Sequence, residues 1–164
     1  MTLYKTSLDR TAKAITAITL LLLAFISYRN WFVSSVPVWL KIVITLSFLA
    51  IVIIAWIYAP QNYLIENETL VINRAVGRVY IPLNGIVGIR EVNKKELGTL
   101  IRLWGSGGLF GYYGKFRSTR MGKLTLYTTR RSNLVLLTTD SGEKILLSPD
   151  DISVIDSIRG YLPV

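Results

Sequence analysis

One apolar stretch limits the folds open to this chain more than any other feature. Residues 38–58 read VWLKIVITLSFLAIVIIAWIY, and Lys41 is the only charged side chain among them. As a helix they extend about 31 Å, enough to cross the hydrocarbon core of a bilayer. Lys41 lies one turn from the start, where its stem can snorkel, and Trp39, Trp56 and Tyr58 are typical interfacial anchors. The sequence therefore predicts a transmembrane helix here.

An earlier apolar block is shorter. The uncharged run AITAITLLLLAFISY between Lys13 and Arg29 spans only about 22 Å as a helix. One interpretation is a transmembrane helix over about 12–32, lengthened by snorkelling of these two side chains. The other is a signal peptide with Lys5, Arg10 and Lys13 as its charged start. No small-x-small cleavage site follows the run, which favours the uncleaved helix.

Basic residues are unevenly placed around the two blocks. Three basic residues precede the first block: Lys5, Arg10 and Lys13. Two follow the second block, Arg74 and Arg78, and two border the loop between the blocks, Arg29 and Lys41. The positive-inside rule then places both termini in the cytoplasm and the loop at 30–37 outside. Residues 1–60 are thus predicted to be a membrane region with two transmembrane helices, and the protein to be an integral, multi-pass one.

The composition disfavours most enzyme classes. The chain has no cysteine and no histidine, which removes disulfides, thiolate nucleophiles, the usual zinc sites and the commonest general base. No paired acidic motif or metal-ligand spacing is present, so we expect no enzyme activity, no cofactor and no metal. The net charge of +9 favours anionic partners such as lipid headgroups or nucleic acid. Two membrane segments make nucleic acid the poorer choice.

After Pro60 the pattern changes to short runs rich in Val, Ile, Leu, Thr and Tyr between turn residues, which is typical of antiparallel strands. We predict strands over 63–66, 70–74, 78–83, 86–92, 114–118, 124–129, 134–138 and 144–147. A C-terminal helix should follow, with Ser148 as N-cap and Pro149 at its first position. Its apolar stripe consists of Ile152, Ile155, Ile158 and Leu162.

This order of elements resembles the pleckstrin-homology (PH) fold. The segments APQNYLIENETLVINRAVGRVYIPLNGI, LWGSGGLFGYYGKFRS and ILLSPDD are similar to those of bacterial PH-like membrane proteins, in which a helical hairpin precedes the domain. The resemblance implies a mainly β fold over 61–164, a PH-like antiparallel barrel or sandwich of about seven strands capped by a C-terminal α-helix. It also implies a bacterial inner or plasma membrane as the location, and it supplies no catalytic residues.

The lipid site of eukaryotic PH domains does not carry over. Those domains use basic residues around the loop between the first two strands, and that loop here reads IENET, with two glutamates and no basic residue.

A glycine-rich stretch, RLWGSGGLFGYYGKFRS at 102–118, invites a nucleotide-binding interpretation that its spacing excludes. A phosphate-binding P-loop needs Ser or Thr after Gly-Lys, and Phe116 follows Lys115. In a dinucleotide fingerprint Phe110 replaces the third glycine. Two interpretations remain: the aromatic side chains pack inward while glycines permit tight turns, or the stretch is exposed and contacts a membrane or a partner.

Residues 98–139 contain no acidic side chain, which makes this the most basic part of the chain. The candidate membrane or partner contacts are Arg102, Trp104, Phe110, Tyr112, Tyr113, Lys115, Arg117, Arg120, Lys123, Arg130 and Arg131. The leading hypothesis is a non-enzymatic module that docks or scaffolds a protein partner, or its own copies, at a sheet edge near 124–129 or a groove beside the C-terminal helix. The alternative is sensing of anionic lipid headgroups through the basic segment 102–131.

Overall fold

The computed structural model describes residues 2–32 and 35–161. Two long helices dominate its first part, α1 at Arg10–Phe32 and α2 at Val38–Tyr58, close to the predicted bounds. Both are long and apolar enough to cross a membrane. They contact each other near the loop, where the Trp31 indole donates a hydrogen bond to the Thr45 hydroxyl over 2.9 Å. The loop predicted at 30–37 falls partly outside the described residues.

Ten strands and two short helices make up the remainder. The elements are β1 (Thr2–Lys5), β2 (Pro60–Glu66), β3 (Thr69–Arg74), β4 (Arg78–Pro82), β5 (Ile86–Val92), α3 (Lys94–Leu97), β6 (Leu100–Gly108), β7 (Gly111–Ser118), β8 (Gly122–Thr128), β9 (Leu134–Thr139), β10 (Lys144–Leu147) and α4 (Val154–Arg159). One sheet has the order β1-β2-β3-β4 and the other the order β5-β9-β10-β8-β7-β6. Neighbours are antiparallel except β8 and β10, which run parallel.

The two sheets share one core. Buried side chains from both, including Tyr63, Ile72 and Leu137, form a single apolar cluster, and Ile155 and Ile158 of α4 complete it. Strands of alternating pattern thus turn one face inward, and the amphipathic helix covers the remaining opening. This arrangement confirms the predicted mainly β, PH-like fold with a C-terminal helix behind a helical hairpin.

Two strands were not predicted. Strand β1 precedes α1, yet it pairs antiparallel with β2, with Thr2 opposite Ile65 and Lys5 opposite Asn62. Residues 2–5 therefore lie in the sheet, although the sequence pattern groups them with the membrane region. Strand β6 occupies part of the glycine-rich stretch, where repeated glycines predict a loop. It pairs with β7 along its whole length.

The start of the C-terminal helix differs from the prediction. Ser148 is fully buried, and its hydroxyl accepts a hydrogen bond from the Thr129 amide over 2.8 Å. Its own amide donates to the Tyr63 hydroxyl over 3.1 Å. Because Ser148 is engaged in joining two parts of the domain, it does not cap the helix, which begins at Val154 after Ser153. Leu162, predicted in the apolar stripe, lies outside the described residues.

The sheet edge predicted near 124–129 is also wrong. Strand β8 lies between β7 and β10 and pairs with both. The outer strands of the larger sheet are β5 and β6. A partner strand therefore has no access to β8.

Candidate functional site

The β6–β7 hairpin is the part of the domain that meets α1. The Thr16 hydroxyl donates to the Gly108 carbonyl over 3.3 Å and accepts from the Phe110 amide over 3.0 Å. A Cβ at Gly108 would stand 2.6 Å from the end of Ile15, so only glycine permits this approach. Phe110 itself has φ +55° at the tip of the hairpin and is half-buried. The glycine-rich turn is thus a docking point for the first helix.

The first turns of α1 are built into the domain. Asp9 caps the helix, since its carboxylate accepts from the Ala12 amide over 2.7 Å and from the Arg131 amide over 3.1 Å. Ala12 is fully buried and joins a second apolar cluster that contains Tyr112 and Phe116. The helix therefore leaves the domain from a closed, packed junction.

The end of α2 meets the opposite face of the hairpin. Tyr113 is buried, and its hydroxyl donates to the Ala55 carbonyl of the helix. Burial raises the pKa of Tyr113 above its usual value. The Arg74 guanidinium lies 5.6 Å from the Tyr58 ring centroid and 5.2 Å from that of Tyr127, so it contacts the helix end and the sheet at once.

A groove of about 620 Å³ lies between the last two turns of α2 and strands β6–β8. Ile51 and Ile54 form its helical wall, and Trp104 and Leu109 lie on the hairpin side. Its cationic lining side chains are Arg74 and Lys115. Arg102 belongs to the lining strand β6, but it stands opposite Phe116, and its Nη1 lies beside Gly107 on the face of the hairpin that carries Tyr112. No carboxylate is present among the described residues that line it. The groove is therefore apolar along the helix and positively charged along the sheet.

One of the two cations is neutralised and the other is not. The Lys115 ammonium lies 2.9 Å from a Glu143 carboxylate oxygen, and this hydrogen bond lowers the pKa of Glu143. Within residues 2–32 and 35–161, Arg74 makes no ion pair with a carboxylate. The Arg74 Nε is buried and has no hydrogen-bond partner there. Among the described residues, the groove thus presents one guanidinium group without a counter-charge.

Further basic side chains lie on the same sheet face. Tyr113, Lys115 and Arg117 alternate along β7 and so point to one side. Arg117 stands directly opposite Lys123 on β8, and both are exposed. Like charges in this position repel, so an anionic surface against them is stabilising. The face that meets α2 therefore continues into a basic pair that makes no ion pair with the carboxylates of the described residues.

The remaining predicted contacts lie elsewhere. Tyr112 is in the second apolar cluster, with the Arg131 guanidinium 4.5 Å from its ring centroid. Arg130 donates to Asp150 and to Ser7, which ties the segment before α1 to the domain.

Arg120 is exposed on the β7–β8 turn and donates to the Lys95 carbonyl over 2.8 Å. Trp104 is 62% exposed, while Tyr112 and Tyr113 are buried. The aromatic side chains of the stretch are therefore divided between the core and the surface. The described residues contain no group of three acidic side chains placed to hold a metal.

Residues 61–158 match the bacterial PH domain family. The chain belongs to that family. No curated protein and no solved structure matches the chain. In this bacterial PH domain protein the matched segment begins directly after α2 and includes the β6–β7 hairpin and most of α4. PH domains are typically non-catalytic binding modules, and with two helices long enough to span a bilayer this agrees with a membrane-anchored binding module.

Three residues that build the junction carry little signal in the sequence. Thr16 is a polar residue inside an apolar block, and Ala55 contributes only its carbonyl group. In the sequence, Arg74 is recognisable only as one of the basic residues that follow α2. A polar side chain in an otherwise apolar helix is the one signal that points to a contact, and it does not name the partner.

Proposed function

We propose that this PH domain protein is a non-enzymatic, membrane-anchored binding module that contacts an anionic leaflet. In the proposal α1 and α2 cross the membrane as a hairpin, and the domain lies against the cytoplasmic surface. The observation that carries it is the double attachment of the β6–β7 hairpin, to Thr16 of α1 and to Ala55 of α2. This attachment keeps the basic face of Arg117 and Lys123 next to the point where α2 ends.

The position of β1 supports the topology. It precedes α1 and pairs with β2, which follows α2, so the two ends of the hairpin lie on one side. The excess of basic residues at these ends favours the cytoplasmic side. The same pairing favours an uncleaved first helix over a signal peptide, because cleavage would remove a strand from the sheet. In the proposal the membrane region ends at residue 60 and β1 is assigned to the domain.

The topology is open to a direct test, since the chain contains no cysteine. Single variants Ser35→Cys, in the loop between the helices, and Gly142→Cys, in an exposed turn of the domain, receive a membrane-impermeant maleimide on intact cells. We expect the Ser35→Cys variant to react at once and the Gly142→Cys variant only after permeabilisation. The reverse order would contradict the proposed orientation.

Contact with the leaflet is tested in nanodiscs of phosphatidylcholine with or without anionic phosphatidylglycerol. Ile101 is half exposed and lies opposite Arg117, so an Ile101→Cys variant reports the burial of this face. We expect slower maleimide labelling in anionic nanodiscs, and recovery of the rate at high salt, because each basic side chain contributes about 1 kcal/mol near a charged leaflet.

The control is Tyr80→Cys on β4 in the other sheet, which is 62% exposed and should label equally in both nanodiscs. Adding Arg117→Gln and Lys123→Gln should abolish the difference at residue 101. Equal rates at residue 101 in the two lipid mixtures would refute leaflet contact.

Docking of a protein partner or a second copy is the other candidate function, and the outer edge of β6 favours it. Among the strands that the structure describes, β6 pairs on one side only, with β7, and it exposes Ile101, Leu103 and Trp104. An extended segment can add to such an edge. A photoreactive amino acid at Leu103, activated in native membranes, tests this: a discrete protein adduct supports docking, and adducts to lipid alone support leaflet contact.

A further inference from the structure

We infer that the groove between α2 and strands β6–β8 binds one anionic phospholipid of the adjoining leaflet. Its phosphate pairs with Arg74, and an acyl chain lies along Ile51 and Ile54. The inference rests on the proposed function, because it requires that α2 crosses the bilayer. It adds a defined lipid site. The residues of this site are not required for the contact between the basic face and the membrane surface.

Arg74 is the strongest indication of a ligand. Its guanidinium is always charged, it is half-buried, and its Nε has no hydrogen-bond partner in the described part of the chain. The two tyrosine rings stabilise the cation but accept no conventional hydrogen bond from it. A partly buried cation without a counter-charge is costly, and phosphate matches the planar fork of an arginine. An anion in the groove supplies what Arg74 lacks.

Three polar side chains of the groove already have hydrogen-bond partners within the chain. The Ser106 hydroxyl donates to the Leu109 carbonyl, the Thr125 hydroxyl to Glu143, and the Tyr113 hydroxyl to Ala55. Arg74 is therefore the charged lining side chain that lacks a counter-charge in the described part of the chain. Its positive charge favours an anionic ligand over a neutral one.

The apolar wall selects a lipid over a small soluble anion. Ile51 and Ile54 precede Tyr58 by about one to two turns of α2, so the apolar wall extends roughly 10 Å from the arginine end along the helix. The volume of about 620 Å³ is within the usual range for ligand sites and far exceeds one phosphate group. Phosphate near Tyr58 and a chain beside Ile51 reproduce the order of headgroup and hydrocarbon in a leaflet.

The test is native mass spectrometry of the delipidated full chain in detergent, titrated with phosphatidylglycerol. We expect one tightly retained lipid per chain. Arg74→Gln should weaken its binding by about tenfold or more, since a hydrogen bond to a charged group contributes about 1.5–3 kcal/mol. Arg78→Gln is the matched control: it removes the same charge from an exposed position on neighbouring β4 and should leave the affinity unchanged.

A second variant separates loss of the site from loss of folding. Ile54→Trp fills the groove without changing any charge, and it lies on α2 outside the β-sheets. It should weaken lipid binding to a similar degree while the thermal unfolding midpoint of the domain stays near that of the parent. Retained affinity in both Arg74→Gln and Ile54→Trp would overturn the inference.

Two further arms identify the ligand. Equal binding of phosphatidylcholine would overturn the anionic character of the site, and displacement of the lipid by inorganic phosphate at comparable concentration would overturn the lipid as occupant. Leaflet contact is measured separately, through labelling at residue 101 and its dependence on Arg117 and Lys123. Absence of lipid binding in the groove would appear in the mass spectra, whereas absence of leaflet contact would appear in the labelling rates at residue 101. The two outcomes are therefore distinguishable.

Discussion

The two helices join the domain in different ways. At α1 the junction is closed: Ala12 is fully buried, and Thr16 exchanges two hydrogen bonds with the turn that holds Gly108. At α2 no residue of the helix is buried, and a groove separates it from the sheet. Ala12 and Thr16 have small side chains, and Gly108 leaves room for Ile15, so α1 lies directly on the domain. Along α2, Ile51 and Ile54 line the groove instead. One helix fixes the position of the domain, and the other bounds a space for a ligand.

The largest effect is expected from breaking the closed junction. Gly108→Val places a branched side chain against Ile15 at φ +146°, and overpacking together with backbone strain should cost about 3 kcal/mol of the free energy of unfolding. Urea denaturation of the full chain in detergent micelles measures it. Gly142→Val has positive φ but no atom within 4 Å of the new Cβ, so it isolates the strain and should cost about 1 kcal/mol. Equal losses would mean that the contact with α1 contributes nothing.

A smaller loss is expected from the polar part of the same junction. Thr16→Val keeps the shape of the side chain but removes the hydroxyl that pairs with the Gly108 carbonyl and the Phe110 amide. We expect the free energy of unfolding to fall by about 2 kcal/mol. Hydrogen exchange should show faster exchange of the Phe110 amide. Thr45→Val, the same substitution near the loop between the helices, should leave that amide protected.

The smallest effect is expected at α2. Tyr113→Phe removes a hydroxyl that donates to the Ala55 carbonyl, while the ring remains in place. The free energy of unfolding should therefore fall by about 1 kcal/mol. The same denaturation experiment checks it. A loss larger than that of Thr16→Val would reverse the comparison, because α2 would then be the helix that fixes the domain.

The sequence predicts the regular parts of this fold well. Long uncharged runs locate α1 and α2 within about two residues, and alternating apolar strands locate eight of the ten strands. It fails at β1 and β6 for different reasons. Four residues at the start of the chain carry no repeat long enough to recognise, and β6 contains Gly105, which lies opposite Gly114 with φ +109°. Side chains there would collide with the neighbouring backbone, so the strand requires residues that usually predict a loop.

The candidate site was only partly predictable. The acid-free segment includes the β6–β7 hairpin, where Trp104 and Lys115 line the groove. It also includes Tyr112, Arg130 and Arg131, whose contacts are internal. Charge density along a sequence does not distinguish a cation that faces a groove from one that ties a segment to the domain. That distinction depends on which carboxylates the fold brings near.

The sequence by itself determined the apolar helices, the strand-rich domain and its PH-like order, because these follow from local periodicity and hydropathy. It also excluded thiol and histidine chemistry through composition. Only the tertiary structure decided what the glycine-rich stretch does. Thr16, Ala55 and Arg74 are far from that stretch in the chain, and they meet it only when both helices return to the same sheet. Contacts between distant residues depend on packing, which no local pattern records.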